Sequence, residues 1–237
     1  VGSNVRLITG WISERLGEIY RKDHAKLEAK YQGALATPKE YFEAWRNGKT
    51  IPGASKPLIS VIIRSKSRKI LNEAELVKDL HEAFPEAIIQ ALDEERRPHH
   101  ELIYITRRSV AMIGMHGALL SMAMFLPPGA VLIEAFPFGI PTENYTPYKT
   151  LAELPAYQLQ YHAWSNPYEE APYNQGHPEQ SLYYGGLRHL PASYAAGVLA
   201  TKTVPKHPCC YSPFWIYRIF QDTWIDSNEV IKLIRRG

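Results

Sequence analysis

From residue 58 onward, short apolar runs alternate with amphipathic stretches. Residues 58–63 (Leu-Ile-Ser-Val-Ile-Ile) form a near-continuous apolar run of strand length. Asn72-Glu73-Ala74-Glu75 then reads as the start of a helix reaching about Phe84, with Leu76, Val77, Leu80 and Ala83 on its inner side. The pattern continues as a strand over 87–92, a helix over 100–108, a strand over 109–113, a helix over 117–125 and a strand over 130–136. Apolar strands separated by helices signal a parallel sheet covered on both faces. The expected fold is therefore α/β, a Rossmann-like doubly wound sheet, with ligands bound at the carboxyl ends of its strands.

The flanks read differently. Residues 5–31 carry Ile8, Trp11, Ile12, Leu16, Ile19 and Tyr20 at helical period, which predicts one amphipathic helix. Thr37-Pro38-Lys39-Glu40 has the form of a capping box with proline at the first helical position, so a short helix should run to about Trp45. Residues 46–57, with Gly48, Pro52, Gly53 and Pro57, read as loop. After residue 137 prolines and aromatics abound, and these aromatics are expected mostly to pack under long loops. A strand over 159–164 is followed by a polar, Tyr-rich loop to about Gly186, then helices near 191–200, 213–220 and 227–235. Two units follow from this division: a helical connecting segment over 1–57, and the α/β domain with its closing helices over 58–237.

Gly114-Met115-His116-Gly117-Ala118-Leu119-Leu120 joins the third strand to the next helix. The first N–H groups of a helix lack intrahelical partners and carry partial positive charge, so an anion is favoured there. Gly117 permits close approach, and His116 adds a donor. The fold brings Arg64 and Arg68, after the first strand, to the same end of the sheet, with Glu134 near the end of the fourth. Two guanidiniums suit a diphosphate, and a carboxylate on a neighbouring strand end suits ribose hydroxyls. The combined expectation is a nucleotide diphosphate site.

Composition adds limits. Charged residues make up 22% and the formal charge is +3, with no massing of basic residues that would mark a nucleic-acid partner. The chain has no GxxxxGK[ST], no GxGxxG after a strand, no zinc spacing around Cys209-Cys210, no Asp-x-Asp pair and no GxSxG. His99-His100 and Glu101 could coordinate a metal in principle, but adjacent residues point in different directions, so a solvated pair is expected. A diphosphate held without a metal fits this set best, with the arginines and the helix end neutralising the leaving group. No cofactor is expected. The chain begins at Val1 without a methionine, signal peptide or long apolar run, and reads as a piece of a longer protein. The adjacent cysteines leave two readings open: pairing with residues outside this segment, or two buried thiols. Asn144-Tyr145-Thr146 is the only glycosylation sequon.

The segment Arg64-Ser65-Lys66-Ser67-Arg68-Lys69-Ile70-Leu71-Asn72-Glu73 resembles the carboxyl-terminal half of eukaryotic glycosyltransferase family 61. So do Met115-His116-Gly117-Ala118, Phe125-Leu126-Pro127 and Glu134. Tyr145-Thr146-Pro147-Tyr148-Lys149-Thr150-Leu151-Ala152, Leu159-Gln160-Tyr161, Ala163-Trp164, Cys209-Cys210 and Arg218-Ile219-Phe220-Gln221-Asp222-Thr223 are similar to the branch acting on O-mannose. The likeness covers roughly residues 58–236; the earlier part matches weakly, and the loop over 166–186 departs from the pattern.

The resemblance implies a GT-B architecture, with this chain as its second, donor-binding domain. It implies inverting transfer of N-acetylglucosamine from UDP-GlcNAc to O-mannose on a protein acceptor. The full-length enzyme would be anchored in the endoplasmic reticulum membrane with a lumenal catalytic part. By matched position, Arg64 and Arg68 would contact the diphosphate. His116, Gly117 and Ala118 would form the phosphate-facing helix start, Glu134 would hold the ribose, and Thr146 and Tyr148 would line the donor pocket. Asn144 would then stay bare. The resemblance names no general base; Glu143 and Glu153 are weak local candidates, and the group could lie on another domain. Related activities on EGF-like domains or with a pentose donor, and a non-catalytic nucleotide-sugar module, are the alternatives.

Overall fold

The computed structural model describes residues 2–31, 37–49, 51, 54, 56–206 and 210–236. It begins with helices α1 (Gly2–Ile19), α2 (Arg21–Lys30) and α3 (Pro38–Arg46). The alternating region then follows as β1 (Leu58–Ile63), α4 (Glu73–Ala83), β2 (Ile88–Asp93), α5 (His99–Thr106) and β3 (Ser109–Met115). A 3₁₀ helix (Ala118–Phe125) leads to β4 (Val131–Phe136), α6 (Pro147–Ala152) and β5 (Gln160–Ser165). The chain closes with β6 (Asn174–Gln175), α7 (Ala192–Ala200), α8 (Pro213–Ile219), β7 (Asp222–Thr223) and α9 (Ser227–Arg236).

Strands β1 to β5 form one parallel sheet in the order β2-β1-β3-β4-β5. Alternate side chains point to opposite faces, so each strand feeds two apolar layers. Leu58, Ile62, Met112 and Leu132 pack under α2, α5 and the 3₁₀ helix. Ile59, Val61, Ile113, Val131 and Ile133 pack under α3, α4 and α9. Full burial of one such side chain stabilises by about 1.5–3 kcal/mol, so both layers hold the strand ends firmly in place. The order β2-β1-β3 reverses direction at β1, and doubly wound sheets bind ligands at that switch point, outside the carboxyl ends of β1 and β3.

The capping box at α3 is formed: the Thr37 hydroxyl accepts from the Glu40 N–H, and the Glu40 carboxylate accepts from the Thr37 N–H at 2.8 Å. Asn72 occupies the position before α4 but does not cap it. Its side chain instead accepts from the Ile225 N–H and donates to the Ile225 carbonyl, both at 2.9 Å. The loop between β1 and α4 is thereby clamped to the segment after β7, and Leu71 N–H to Thr223 O extends the clamp.

Two expectations fail on local physics. The single helix over 5–31 breaks at Tyr20, whose ring stacks on His100 at 3.8 Å between centroids. Several of the apolar positions of this stretch also face outward: Ile8, Trp11 and Ile19 are exposed while Thr9 and Ser13 are buried, and Leu16 packs against the core. Arg6 sets that rotation, donating to the Ala156 and Leu126 carbonyls at 2.8 Å and lying over the Tyr157 ring. The helix over 117–125 is 3₁₀, closed at its start by Leu120 N–H to Gly117 O. Its hydrogen bonds are poorer than those of an α-helix, so its end is a weaker source of positive potential. Among the described residues no helix is long and apolar enough to cross a membrane.

Candidate functional site

Arg64 follows the last residue of β1, and Arg68 lies four residues further round a tight loop, with φ of +57°. This strained backbone is fixed by contacts with the far end of the chain. Arg68 N–H reaches the Phe220 carbonyl, Thr223 N–H reaches the Lys69 carbonyl, and the Arg68 guanidinium lies 4.7 Å above the Phe220 ring. Asp222, fully buried, accepts from the Lys69 N–H at 2.9 Å. Its other oxygen lies 3.2 Å from Lys69 Nζ and 3.1 Å from His177 Nε2.

The loop after β3 meets this arginine pair. Arg68 Nη1 donates to the His116 carbonyl at 3.2 Å. Gly117, at φ +147°, lies so close that a Cβ there would collide with the Arg68 guanidinium and sit 3.3 Å from Arg64 Nη1. Tyr148 Oη donates to the Gly117 carbonyl at 2.7 Å from the other side. Among the described residues neither Arg64 nor Arg68 forms an ion pair, and Arg64 Nη1 and Arg68 Nε are buried without hydrogen-bond partners. Burial, and secondarily the charge of Arg64, push the Arg68 guanidinium down to about 10. Two desolvated cations with unused donors therefore face one glycine turn. An incoming anion would satisfy both the charge and the donors.

His116 and Glu134 are also brought together, and they bond to each other. Glu134 is fully buried in β4, with Oε1 2.5 Å from His116 Nδ1 and Oε2 accepting from Tyr161 Oη at 2.6 Å. Each oxygen already holds one protein partner and the side chain is fully buried, an arrangement that orients the imidazole. Burial and the Glu134 charge push the Tyr161 hydroxyl up, which keeps it a donor. Phe136 stacks on the His116 ring, and Tyr148 and Trp215 meet it edge-on.

Of the remaining residues, Ala118 is exposed at the start of the 3₁₀ helix, beside Gly117. Thr146 lies elsewhere. It lines a separate cleft of about 380 Å³ with Glu143, Lys149, His162 and Arg236, apart from the one bordered by Arg64 and Arg68. Glu143 and Glu153 are exposed, and Glu153 sits 3.9 Å from Lys149; neither borders the arginine cleft. Cys209 and the side chain of Asn144 fall outside the described residues; Cys210 is exposed. Tyr161, Phe220 and Asp222 carry no chemical signature in sequence, because their roles arise only when distant segments meet.

A five-stranded parallel sheet with a basic, glycine-led turn at its switch point defines a Rossmann-like α/β domain. The family model for glycosyltransferase 61 matches residues 6–133, and the chain belongs to that family. The match begins in α1, further upstream than the sequence motifs extend. The chain is 38% identical over 185 residues to the protein O-linked-mannose beta-1,4-N-acetylglucosaminyltransferase 2 of Tetraodon nigroviridis, covering 78% of this chain and 31% of that one. It is 41% identical over 174 residues to the Danio rerio protein of the same name (73% and 30%) and 40% over 178 residues to that of Bos taurus (75% and 30%). The chain thus spans about a third of the length of these curated relatives.

Proposed function

We propose that this chain is the donor-binding part of an inverting transferase that moves N-acetylglucosamine from UDP-GlcNAc to O-mannose on a protein. In that reading it forms the second domain of a GT-B enzyme. One observation carries it: Arg64 and Arg68, unpaired among the described residues, close around Gly117 at the switch point of the sheet. Family membership and the names of the relatives support the choice of sugar and acceptor.

In such a transfer the bond between sugar and β-phosphate lengthens, and negative charge grows on the departing diphosphate. Donors aimed at developing charge in a site of low polarity act most strongly there. Arg64 and Arg68 supply paired N–H donors at fixed positions, and the amides after Gly117 add weaker ones. Glu134 fixes the His116 ring, which borders the turn and donates or accepts through its remaining nitrogen. The acceptor hydroxyl needs a base, and we assign that group to the part of the protein beyond this chain. The arginines take the role that a bound cation has in other transferases, and the full-length protein acts in the endoplasmic reticulum lumen, held at the membrane.

The test uses full-length protein, UDP-GlcNAc and an O-mannosyl peptide. Transfer should proceed, survive EDTA and fall by about ten- to hundredfold in kcat/KM for Arg64→Ala or Arg68→Ala, the range for one lost charged hydrogen bond. No transfer to the mannosyl peptide, or full activity in both variants, overturns the reading.

A further inference from the structure

We propose that the cleft on the β1–β2 side of the arginine pair receives the nucleoside half of the donor. Glu94 holds the ribose hydroxyls there, and Tyr183 and Tyr184 give the base its stacking face. This rests on the diphosphate reading above.

A pyrophosphate at Arg64, Arg68 and Gly117 sends its two substituents in opposite directions across the sheet. One direction leads over β3 and β4, where His116, Tyr148 and Trp215 form a tight, mostly aromatic wall. The other opens into a cleft of about 340 Å³ bordered by both arginines, the acidic end of β2 and the Tyr183–Tyr184 turn. Glu134 is buried against His116 and Tyr161 and does not border this cleft, whereas the carboxylates at the end of β2 do. Doubly wound nucleotide folds commonly hold the ribose with an acidic residue some way past the phosphate-binding turn.

Three acidic residues stand at that end, and two are occupied. Asp93 accepts from the Glu95 N–H at 2.9 Å and lies 3.2 Å from Arg96, while Glu95 lies 3.2 Å from Lys66. Glu94 forms no ion pair among the described residues, is exposed, and is near enough for Arg68 to feel its charge.

The tyrosines are 80% and 55% exposed, with ring centroids 4.9 Å apart and planes at 89°. A single exposed aromatic needs no explanation, but a pair on the rim of a cleft that also holds the two arginines has the form of a base platform. Nor is their turn free to drift. Gly185, at φ +84°, packs so closely that a Cβ would collide with Phe220, and a Cβ on Gly186 would collide with the Gln180 carbonyl. The Phe220 ring lies directly beneath Arg68, so the turn and the arginine hold a fixed relation. His177, bonded to Asp222, anchors the start of the same segment.

Calorimetry on the full-length protein with UDP, 2′-deoxy-UDP and inorganic pyrophosphate tests the assignment. Replacing both tyrosines by alanine should weaken UDP about tenfold or more and leave pyrophosphate unchanged; replacing both by phenylalanine should preserve UDP affinity. Unaltered protein should prefer UDP to its 2′-deoxy form, and Glu94→Gln should erase that preference. If the alanine pair and Glu94→Gln bind UDP as before, while Arg64→Ala weakens both UDP and pyrophosphate, the nucleoside assignment is wrong and the diphosphate site stands. If Arg64→Ala changes neither, both fall together.

Discussion

The Arg68 guanidinium donates to the backbone carbonyl of His116 at 3.2 Å, tying the loop after β1 to the turn after β3. This bond crosses the switch point of the sheet and uses only one of the nitrogens of Arg68. Nε remains buried without a partner. A cation held this way opposes stability until an anion arrives.

Because the folded environment lowers the Arg68 pKa to about 10 from the ordinary guanidinium value, the charged form is disfavoured by folding. The penalty is therefore present at all assay pH values below about 10 and fades only as pH rises beyond that towards the ordinary guanidinium value. Arg68→Met should therefore leave the ligand-free thermal midpoint unchanged or raise it, while abolishing the upward shift caused by UDP. Scanning calorimetry with and without UDP reads both effects. A lowered midpoint with the UDP shift intact would contradict the account.

Gly117→Ala should be costly for two reasons that act together. The backbone is at φ +147°, and the new methyl group would strike the Arg68 guanidinium. Strain and overpacking of this kind each cost about 1–3 kcal/mol. Denaturant unfolding should show a loss in that range, and UDP affinity should fall as the arginines are displaced.

Glu134 is predicted to act through His116. Glu134→Ala strands the Tyr161 hydroxyl and the His116 N–H, each at a cost of about 1–3 kcal/mol. Glu134→Gln keeps the volume and should keep most of the stability. Its effect should appear as a lower kcat and an altered pH profile, with UDP affinity nearly unchanged. If the glutamine variant lost UDP binding and kept kcat, Glu134 would be a donor ligand after all.

Acid should loosen the amino-terminal helices. Burial, then the neighbouring His100, lower the His24 pKa, so folding favours the neutral ring. Unfolded histidine titrates near 6.5, and stability should decline as pH drops below that value. Thermal midpoints between pH 7.5 and 5.5 should fall less steeply in His24→Gln than in the unaltered protein. Equal slopes would remove His24 from the explanation.

Strands β1 to β4 are legible because a parallel sheet demands unbroken apolar runs, and 58–63 or 131–136 can do little else. The convergence of Arg64, Arg68 and Gly117 follows from the same topology. What stays hidden depends on rotation and distance. The face of α1 is chosen by Arg6 reaching the Leu126 and Ala156 carbonyls, which no local periodicity encodes. The task of Glu134 is decided by Tyr161 on the neighbouring strand, and Asn72 serves Ile225 in place of its own helix.

That last clamp has a temporal consequence. Residues 72 and 225 lie far apart in the chain, yet the arginine loop between β1 and α4 takes its shape from both. During synthesis the sheet strands emerge long before the segment around Asp222 and Ile225. The anion-holding geometry must therefore be among the last features to form, and a nascent chain halted before residue 220 would own the scaffold but not the grip.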